Sequence, residues 1–392
     1  MTNTPNVEKT HFEVLHGIGF EFSLKPQAQR RTGQSKWNMT PGMPWINTDE
    51  GTITFTQKLH QAFNNKAKNY ATTCSGLETN HSIASTLKSL LKGAPISSDY
   101  FRSKITRFMT LSLGSQLKSS QMHDGFIVSI VMYQTSELND GVLVSETTKR
   151  FLNTSMIRNT DALKFDSHCR IETIEAVDFS KLIQSAMINI DTLERNFTRQ
   201  QDEYKNETSL IANNGQLRDY FAKGLNADNY IKDSVAANNL VDGLLSFCRS
   251  KLDVTRPEEV SIREKFYALL SQDKFKDGIS IERVQSFVDT LIPEEKREEL
   301  QGSFIGYLAE HEYQVNDKVL FSKEIKEKLV WVTLEINDAI SVRSKKNKIG
   351  IAGSGADIEF DPNGNFLRTN QVIQDAKTIE KILEIIEATN DD

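Results

Sequence analysis

The chain has 392 residues, a formal net charge of −6, and 38% hydrophobic and 26% charged residues. At about 150 residues per domain, that length supplies two or three cores, and the composition excludes a disordered or fibrous chain. The strongest apolar runs, residues 126–133 and 329–332, are far too short for the roughly 20 residues that span a bilayer, so no membrane is expected as a partner.

The first fifty residues carry Pro26, Pro41 and Pro44 with Gly33, Gly42 and Gly51, and read as short strands and turns around Phe20, Phe22 and Leu24. From Thr54, the spacing of Phe55, Leu59, Phe63 and Tyr70 predicts an amphipathic helix, followed by helices over 82–91 and 99–117. Asp124-Gly125 opens an Ile- and Val-rich strand over 126–133. A turn ending in Asn139-Asp140-Gly141 leads to a second strand over 142–145, which is a hairpin pattern. Alternation from Cys169 to Val177 predicts another strand, after which Asp178 is placed to cap a helix carrying Leu182, Ile183 and Met187.

Polar residues 196–208 mark a domain boundary, giving an α+β domain over 1–205 and a mostly helical domain over 206–392. Helices are expected over 216–223, 232–252, 257–271 and 279–291, the third with Pro257 in its first turn, where the missing N–H costs nothing. The run Glu294 to Glu299 reads as a solvated helix face. The small β element comes last: a strand over 328–342, short strands near Ile349 and over 357–360, a turn at Asp361-Pro362-Asn363-Gly364, and a final helix over 376–386. The fold class is therefore α+β, with a mostly antiparallel N-terminal sheet.

Chemistry is sparse. Cys74, Cys169 and Cys248 are too far apart for a zinc motif and too few for a disulfide framework. The seven histidines form no metal-binding pattern, and no Gly-x-Ser-x-Gly elbow is present. Asp273, Asp277 and Gly278 mimic a calcium loop, but Phe275 and Val284 stand where oxygen ligands belong. Gly350, Gly353 and Gly355 do not match the dinucleotide fingerprint and read instead as tight turning or close backbone approach. No cofactor, metal or catalytic residue is assigned.

What stands out is basic. Arg343, Lys345, Lys346 and Lys348 crowd into six residues of an acidic chain, a placement that calls for a polyanion. They are the main candidates for phosphate contact, with Lys66 and Lys68 as weaker ones. Backbone phosphate contact carries no sequence information, so binding to double-stranded DNA is expected to be broad.

Several landmarks, taken in order, resemble one family. They are Asn65-Lys66-Ala67-Lys68-Asn69-Tyr70, Asp124-Gly125-Phe126-Ile127-Val128, the segment from Arg170-Ile171 to Asp178-Phe179-Ser180, Gly215-Gln216-Leu217-Arg218-Asp219-Tyr220-Phe221, and Asp357-Ile358-Glu359-Phe360. Their order and spacing over residues 55–370 resemble the bacterial nucleoid-associated protein family of the NdpA (YejK) type. The resemblance implies a cytoplasmic protein of the nucleoid that binds duplex DNA as a dimer without catalysis. It transfers no residue-level binding map. Two other functions remain open: an adaptor recruiting a DNA enzyme through the acidic surface, and a metal-dependent nuclease.

Overall fold

A computed structural model describes residues 9–29, 35–92, 95–117, 124–139, 142–158, 163–174, 182–212, 217–228, 230–337, 340–370, 373, 375 and 377–383. The chain forms two compact units, each discontinuous in sequence: Met1–Phe247 with Ile279–Val319, and Cys248–Gly278 with Leu320–Asp392. The class is α+β, as the residue patterns predict.

The first unit is built on strands β1 (Lys9–Leu24), β2 (Trp37–Pro44), β3 (Asn69–Ala71), β4 (Phe126–Asn139) and β5 (Val142–Ile157). They are followed by a small pair, β6 (Leu163–Phe165) and β7 (Ile171–Ile174), and by β8 (Leu182–Asn189) and β9 (Thr208–Ala212). Seven of these form one sheet in the order β2-β1-β4-β5-β8-β9-β3, antiparallel throughout.

Both faces of the sheet are covered. Phe126, Val128, Ile130 and Met132 of β4 enter one core with the helices Ile83–Leu91, Ser98–Phe108 and Asp219–Leu225; Ile127, Val131 and Tyr133 enter the other with Phe55, Leu59 and Phe63 of the helix Glu50–Asn64. A strand buried on both faces reads as a continuous apolar run. Asp49 caps the Glu50–Asn64 helix by accepting from the Thr52 backbone N–H at 3.0 Å.

At the sheet centre, Ser129, Ser155 and Ser185 stand opposite one another across β4, β5 and β8. The Ser155 and Ser185 hydroxyls lie 2.6 Å apart, and Ser155 donates to Asn153 Oδ1 at 2.5 Å, so these buried polar groups satisfy one another. Gly19 extends the row into β1. A Cβ there would come within 2.6 Å of the Cys169 carbonyl oxygen, and one on Gly42 within 2.3 Å of that of His168. The two glycines thus admit the 168–169 turn, which Trp45 fastens with an Nε1–H bond to Cys169 O at 2.7 Å.

The same unit holds the N-terminal part of the helix Asp233–Leu252 and the helices Ile281–Asp289 and Phe304–Glu310. It also contains a short pair, β10 (Ile279–Ser280) and β11 (Lys318–Val319). The Phe247 ring packs edge-on to Phe304 and Tyr307.

The second unit pairs the helix Arg256–Leu270 with Lys323–Val330. Phe266 meets Phe321 edge-on, and Lys326 Nζ donates to the Leu270 carbonyl at 2.9 Å. Thr255 and Glu258 form a capping box, with proline in the first turn of the Arg256–Leu270 helix. Beyond it come the hairpin β12 (Trp331–Asn337) and β13 (Ile340–Lys345), then a sheet of β14 (Ile349–Ile351), β15 (Ile358–Asp361) and β16 (Phe366–Thr369). Residues 377–383 are helical.

Four expectations need correction. Leu182, Ile183 and Met187 belong to β8, an interior strand, and not to a helix; Asp178, the expected cap, lies outside the described residues. The strand over 328–342 is instead the end of a helix followed by a hairpin. Tyr70 is on β3, and the first fifty residues contain a 16-residue strand and an 8-residue strand, β1 and β2, where short strands were expected. The 126–145 hairpin is present, with β5 continuing to Ile157; Asp140 and Gly141 of its turn lie outside the described residues.

Candidate nucleic-acid interface

β13 carries Arg343 and Lys345 two residues apart, so both project from one face of the hairpin, while the intervening Ser344 is buried. Trp331 stands directly opposite Lys345 in register. Its indole receives both cations, with the Arg343 guanidinium 5.2 Å and the Lys345 ammonium 5.7 Å from the ring centroid. Cation–π attraction offsets part of the repulsion between the two.

Carboxylates compete for the same charges. Glu327, on the preceding helix, accepts from Arg343 Nη2, and Lys348 pairs with Asp357 at 3.0 Å. Lys346 turns inward and donates to the Lys328 carbonyl at 2.7 Å; burial and then the nearby Arg263 charge lower its pKa. Arg343 and Lys348 therefore each carry a counter-charge, whereas Lys345 and Lys346 pair with no carboxylate among the described residues. Neither Trp331 nor Glu327 is singled out by the sequence, and Asp357 figures there as a family landmark, not as a counter-charge. The indole could have been found, since hairpin pairing brings it to the basic strand.

The glycine-spaced stretch next to the tract is occupied by the chain itself. Gly353 and Gly355 have φ of +84° and +74°, the left-handed region that favours glycine. The loop they form surrounds Glu359 of β15. Its carboxylate accepts from the Gly355 N–H at 2.7 Å and from Arg368 Nη2 at 2.8 Å and Nε at 3.2 Å. A backbone cradle of the kind that could hold a phosphate thus holds a carboxylate. The Arg368 bonds, followed by the Gly353 and Gly355 amides, keep the Glu359 acid at about 2 instead of 4.5. A depressed acid stabilises the fold above its unfolded value and ceases to do so as pH falls through the folded one. The protection factor of the Gly355 amide, its exchange rate set against the intrinsic rate at each pH, should accordingly fall as pH drops from about 4.5 to about 2; Glu359→Gln should abolish that pH step, and a step that persists in the variant refutes the arrangement.

Asp361 also serves a turn, accepting from the Asn363 N–H at 2.8 Å. Among the described residues no group of three or more His, Cys, Asp or Glu side chains could hold a metal ion.

Lys66 and Lys68 belong to the first unit, just beyond the Glu50–Asn64 helix. Lys68 is 4% exposed; its ammonium donates to the Asn64 carbonyl at 3.0 Å and lies 5.9 Å from the Phe63 ring centroid. Burial alone pushes its pKa down to about 7 and also lowers that of Lys66, which is half-buried. Asn64 Nδ2 contacts His60 Nε2 at 3.0 Å, and His60 Nδ1 contacts the Tyr133 hydroxyl at 2.9 Å. Burial, and secondarily the Lys68 charge, take His60 to about 4. It is a neutral interior histidine whose two ring nitrogens each have a hydrogen-bond partner, Asn64 and Tyr133.

The sequence matches the family model described as nucleoid-associated protein YejK over residues 36–387. The chain belongs to that family. Among curated proteins none matches it significantly. Family membership covers both compact units and agrees with the order of landmarks read from the sequence. Asn65 to Tyr70 runs from the end of the Glu50–Asn64 helix into β3, Phe126 to Val128 opens β4, and Ile358 to Phe360 lies in β15. A nucleoid-associated role follows from the family. No described helix is long and apolar enough to cross a membrane.

Proposed function

We propose that this chain binds double-stranded DNA with little sequence preference, as a non-enzymatic homodimer of the cytoplasmic nucleoid, and that Arg343, Lys345, Lys346 and Lys348 contact phosphates. The observation that carries the reading is the β12–β13 hairpin of a nucleoid-associated family member, which displays two cations on one indole beside two more. Lys345, free of a carboxylate partner among the described residues, forms the core of the contact, and Lys346 joins it by giving up the Lys328 carbonyl. Arg343 and Lys348 join it by exchanging Glu327 and Asp357 for phosphate oxygens, which is inexpensive for exposed ion pairs. Lys68 is too enclosed to meet a duplex and contributes nothing directly; Lys66 stays a weaker candidate. A second copy has a surface to cover in the β14–β15–β16 sheet, where Ile351 and Phe360 stand in register at 67% and 38% exposure.

Salt dependence tests this. Each phosphate neutralised contributes about −0.9 to the slope of log affinity against log salt, so four contacts give about −3.6 and two give about −1.8. The quadruple variant R343A/K345A/K346A/K348A should flatten the slope by an amount in that interval, and one keeping the wild-type slope removes the assignment. Comparing K345A/K346A with R343A/K348A then shows whether the ion-paired cations take part, and sedimentation of the same samples reports the dimer.

The adaptor alternative draws on Glu294, Glu295, Glu298 and Glu299, all exposed. It would gain from a stoichiometric protein partner recovered together with undetectable duplex binding at low salt.

A further inference from the structure

The first compact unit carries a basic face of its own, far in sequence from β13. Residues 81–108 hold five cations, Lys88, Lys92, Arg102, Lys104 and Arg107, against one carboxylate, Asp99, in a chain whose net charge is −6. At about 100° per residue, Ser85, Lys88, Ser89 and Lys92 fall on one stripe of the helix Ile83–Leu91 and its C-cap. Tyr100, Lys104 and Arg107 fall on one stripe of the helix Ser98–Phe108, away from Phe101, Ile105 and Phe108, which enter the core. Two contacts join the stripes. The Ser89 side chain bonds the Tyr100 phenol, and Arg107 Nη2 donates to His81 Nε2 at 3.3 Å, just ahead of the first helix. Asp99 and Arg102 lie off the shared face, about 100° or more round their helix from Tyr100.

The four cations of this face have aromatic seats but no counter-charge. Lys104 Nζ lies 5.3 Å from the Tyr100 ring centroid and Lys88 Nζ 5.4 Å from that of Phe197, while Lys92 and Arg107 are exposed. Among the described residues no carboxylate pairs with Lys88, Lys92, Lys104 or Arg107. Lys88 and Lys92 are four residues apart, and Lys104 and Arg107 three apart, spacings at which like charges on a helix repel. A row of phosphates would turn that repulsion into attraction. Ring seats place the ammonium groups without using up their donors, which stay available to phosphate oxygens. The face also lacks the apolar centre that a protein partner ordinarily needs, offering cations, hydroxyls and a single tyrosine.

We propose that the helix pair Ile83–Leu91 and Ser98–Phe108 is a second contact surface for duplex DNA, with Lys88, Lys92, Lys104 and Arg107 meeting phosphates. The proposal rests on the reading of the chain as a duplex binder and adds to it a contact in the other compact unit, so that each unit holds DNA through its own cations.

The test is duplex binding by the full chain across a salt series. At about −0.9 per phosphate, K88Q/K92Q/K104Q/R107Q should flatten the slope of log affinity against log salt by about 1.8 to 3.6, for two to four contacts. A wild-type slope in that variant overturns this proposal and leaves the duplex reading standing, whereas a wild-type chain that binds no duplex at low salt overturns both. Acetylation footprinting needs no helix variant and so answers even if the fourfold substitution does not fold. Saturating duplex should slow modification of Lys88, Lys92 and Lys104 in the wild type, and in R343A/K345A/K346A/K348A as well, which separates this face from the β13 contact. Equal reactivity with and without duplex overturns the assignment. So does protection by polyglutamate and not by duplex, which would make the face a dock for an acidic protein.

Discussion

Lys68→Met is expected to stabilise the protein by on the order of 3 kcal/mol near neutral pH, although it removes a hydrogen bond. The folded chain holds this amine at about 7 against an ordinary 10.5, and each unit of depression corresponds to about 1.4 kcal/mol of penalty on the charged form. Losing the Asn64 contact and the Phe63 ring attraction offsets a part of that gain, on the order of 1–2 kcal/mol. The pH dependence has a definite sign. Below about 7 the amine is protonated in both folded and unfolded chains, and the penalty is fully present. Between about 7 and 10.5 the unfolded chain holds a proton that the folded chain lacks, so wild-type stability rises with pH. Above 10.5 the penalty is gone. The advantage of K68M should therefore be largest at about pH 6.5 and shrink by about pH 10 in urea denaturation. Parallel stability curves for the two proteins would show that Lys68 does not carry a buried, uncompensated charge.

The fold was legible where one physical signal decided each element. The Glu50–Asn64 helix shows its buried face as Phe55, Leu59 and Phe63, and Asp-Pro-Asn-Gly after β15 turns the chain as those residues do in most settings. β8 misled for a definable reason. Leu182 and Met187 face one core while Ala186 and Ile188 face the other, and such a segment has no alternation to distinguish it from a helix. The length of β1 was hidden likewise: the register shift between Val14 and His16 moves its side chains from one core to the other and breaks the period. At the candidate interface, the basic residues could be read directly, but their counter-charges could not. Glu327 meets Arg343 across a helix-to-strand corner, and Asp357 meets Lys348 across a glycine loop, contacts that local sequence patterns do not encode. Lys68, a weaker candidate for phosphate contact by sequence, is an interior lysine, since the turn after the Glu50–Asn64 helix directs it inward.

Glu207→Ala should destabilise the first unit by about 3–5 kcal/mol, since it breaks a buried hydrogen-bond network and leaves several neutral donors unsatisfied at once. The side chain is 4% exposed and immediately precedes β9. One carboxylate oxygen accepts from the Thr73 N–H at 2.6 Å, the Thr73 hydroxyl at 2.8 Å and the Thr208 hydroxyl at 3.1 Å; the other accepts from the Thr72 hydroxyl at 2.8 Å and Asn196 Nδ2 at 3.0 Å. These donors come from the segment after β3, the end of the helix Ile190–Asn196 and the start of β9, so a single group joins three pieces of chain at the sheet edge. Alanine would leave all of them buried and without that acceptor, the costly direction of the hydrogen-bond asymmetry. Glu207→Gln should cost less, about 1–3 kcal/mol, because the amide keeps one acceptor oxygen while its NH₂ faces other donors. Removing donors as well as acceptor, in Glu207→Leu with Thr72→Val and Thr208→Val, should recover part of the loss, and the coupling in that cycle separates the network from simple cavity formation. Cys74 gives an independent readout. Burial, and next the Glu207 charge, push its thiol up to about 12, so Glu207→Ala should speed its alkylation at a pH where the wild type reacts slowly. A stable alanine variant with an equally inert Cys74 would mean that the three segments are held by packing alone.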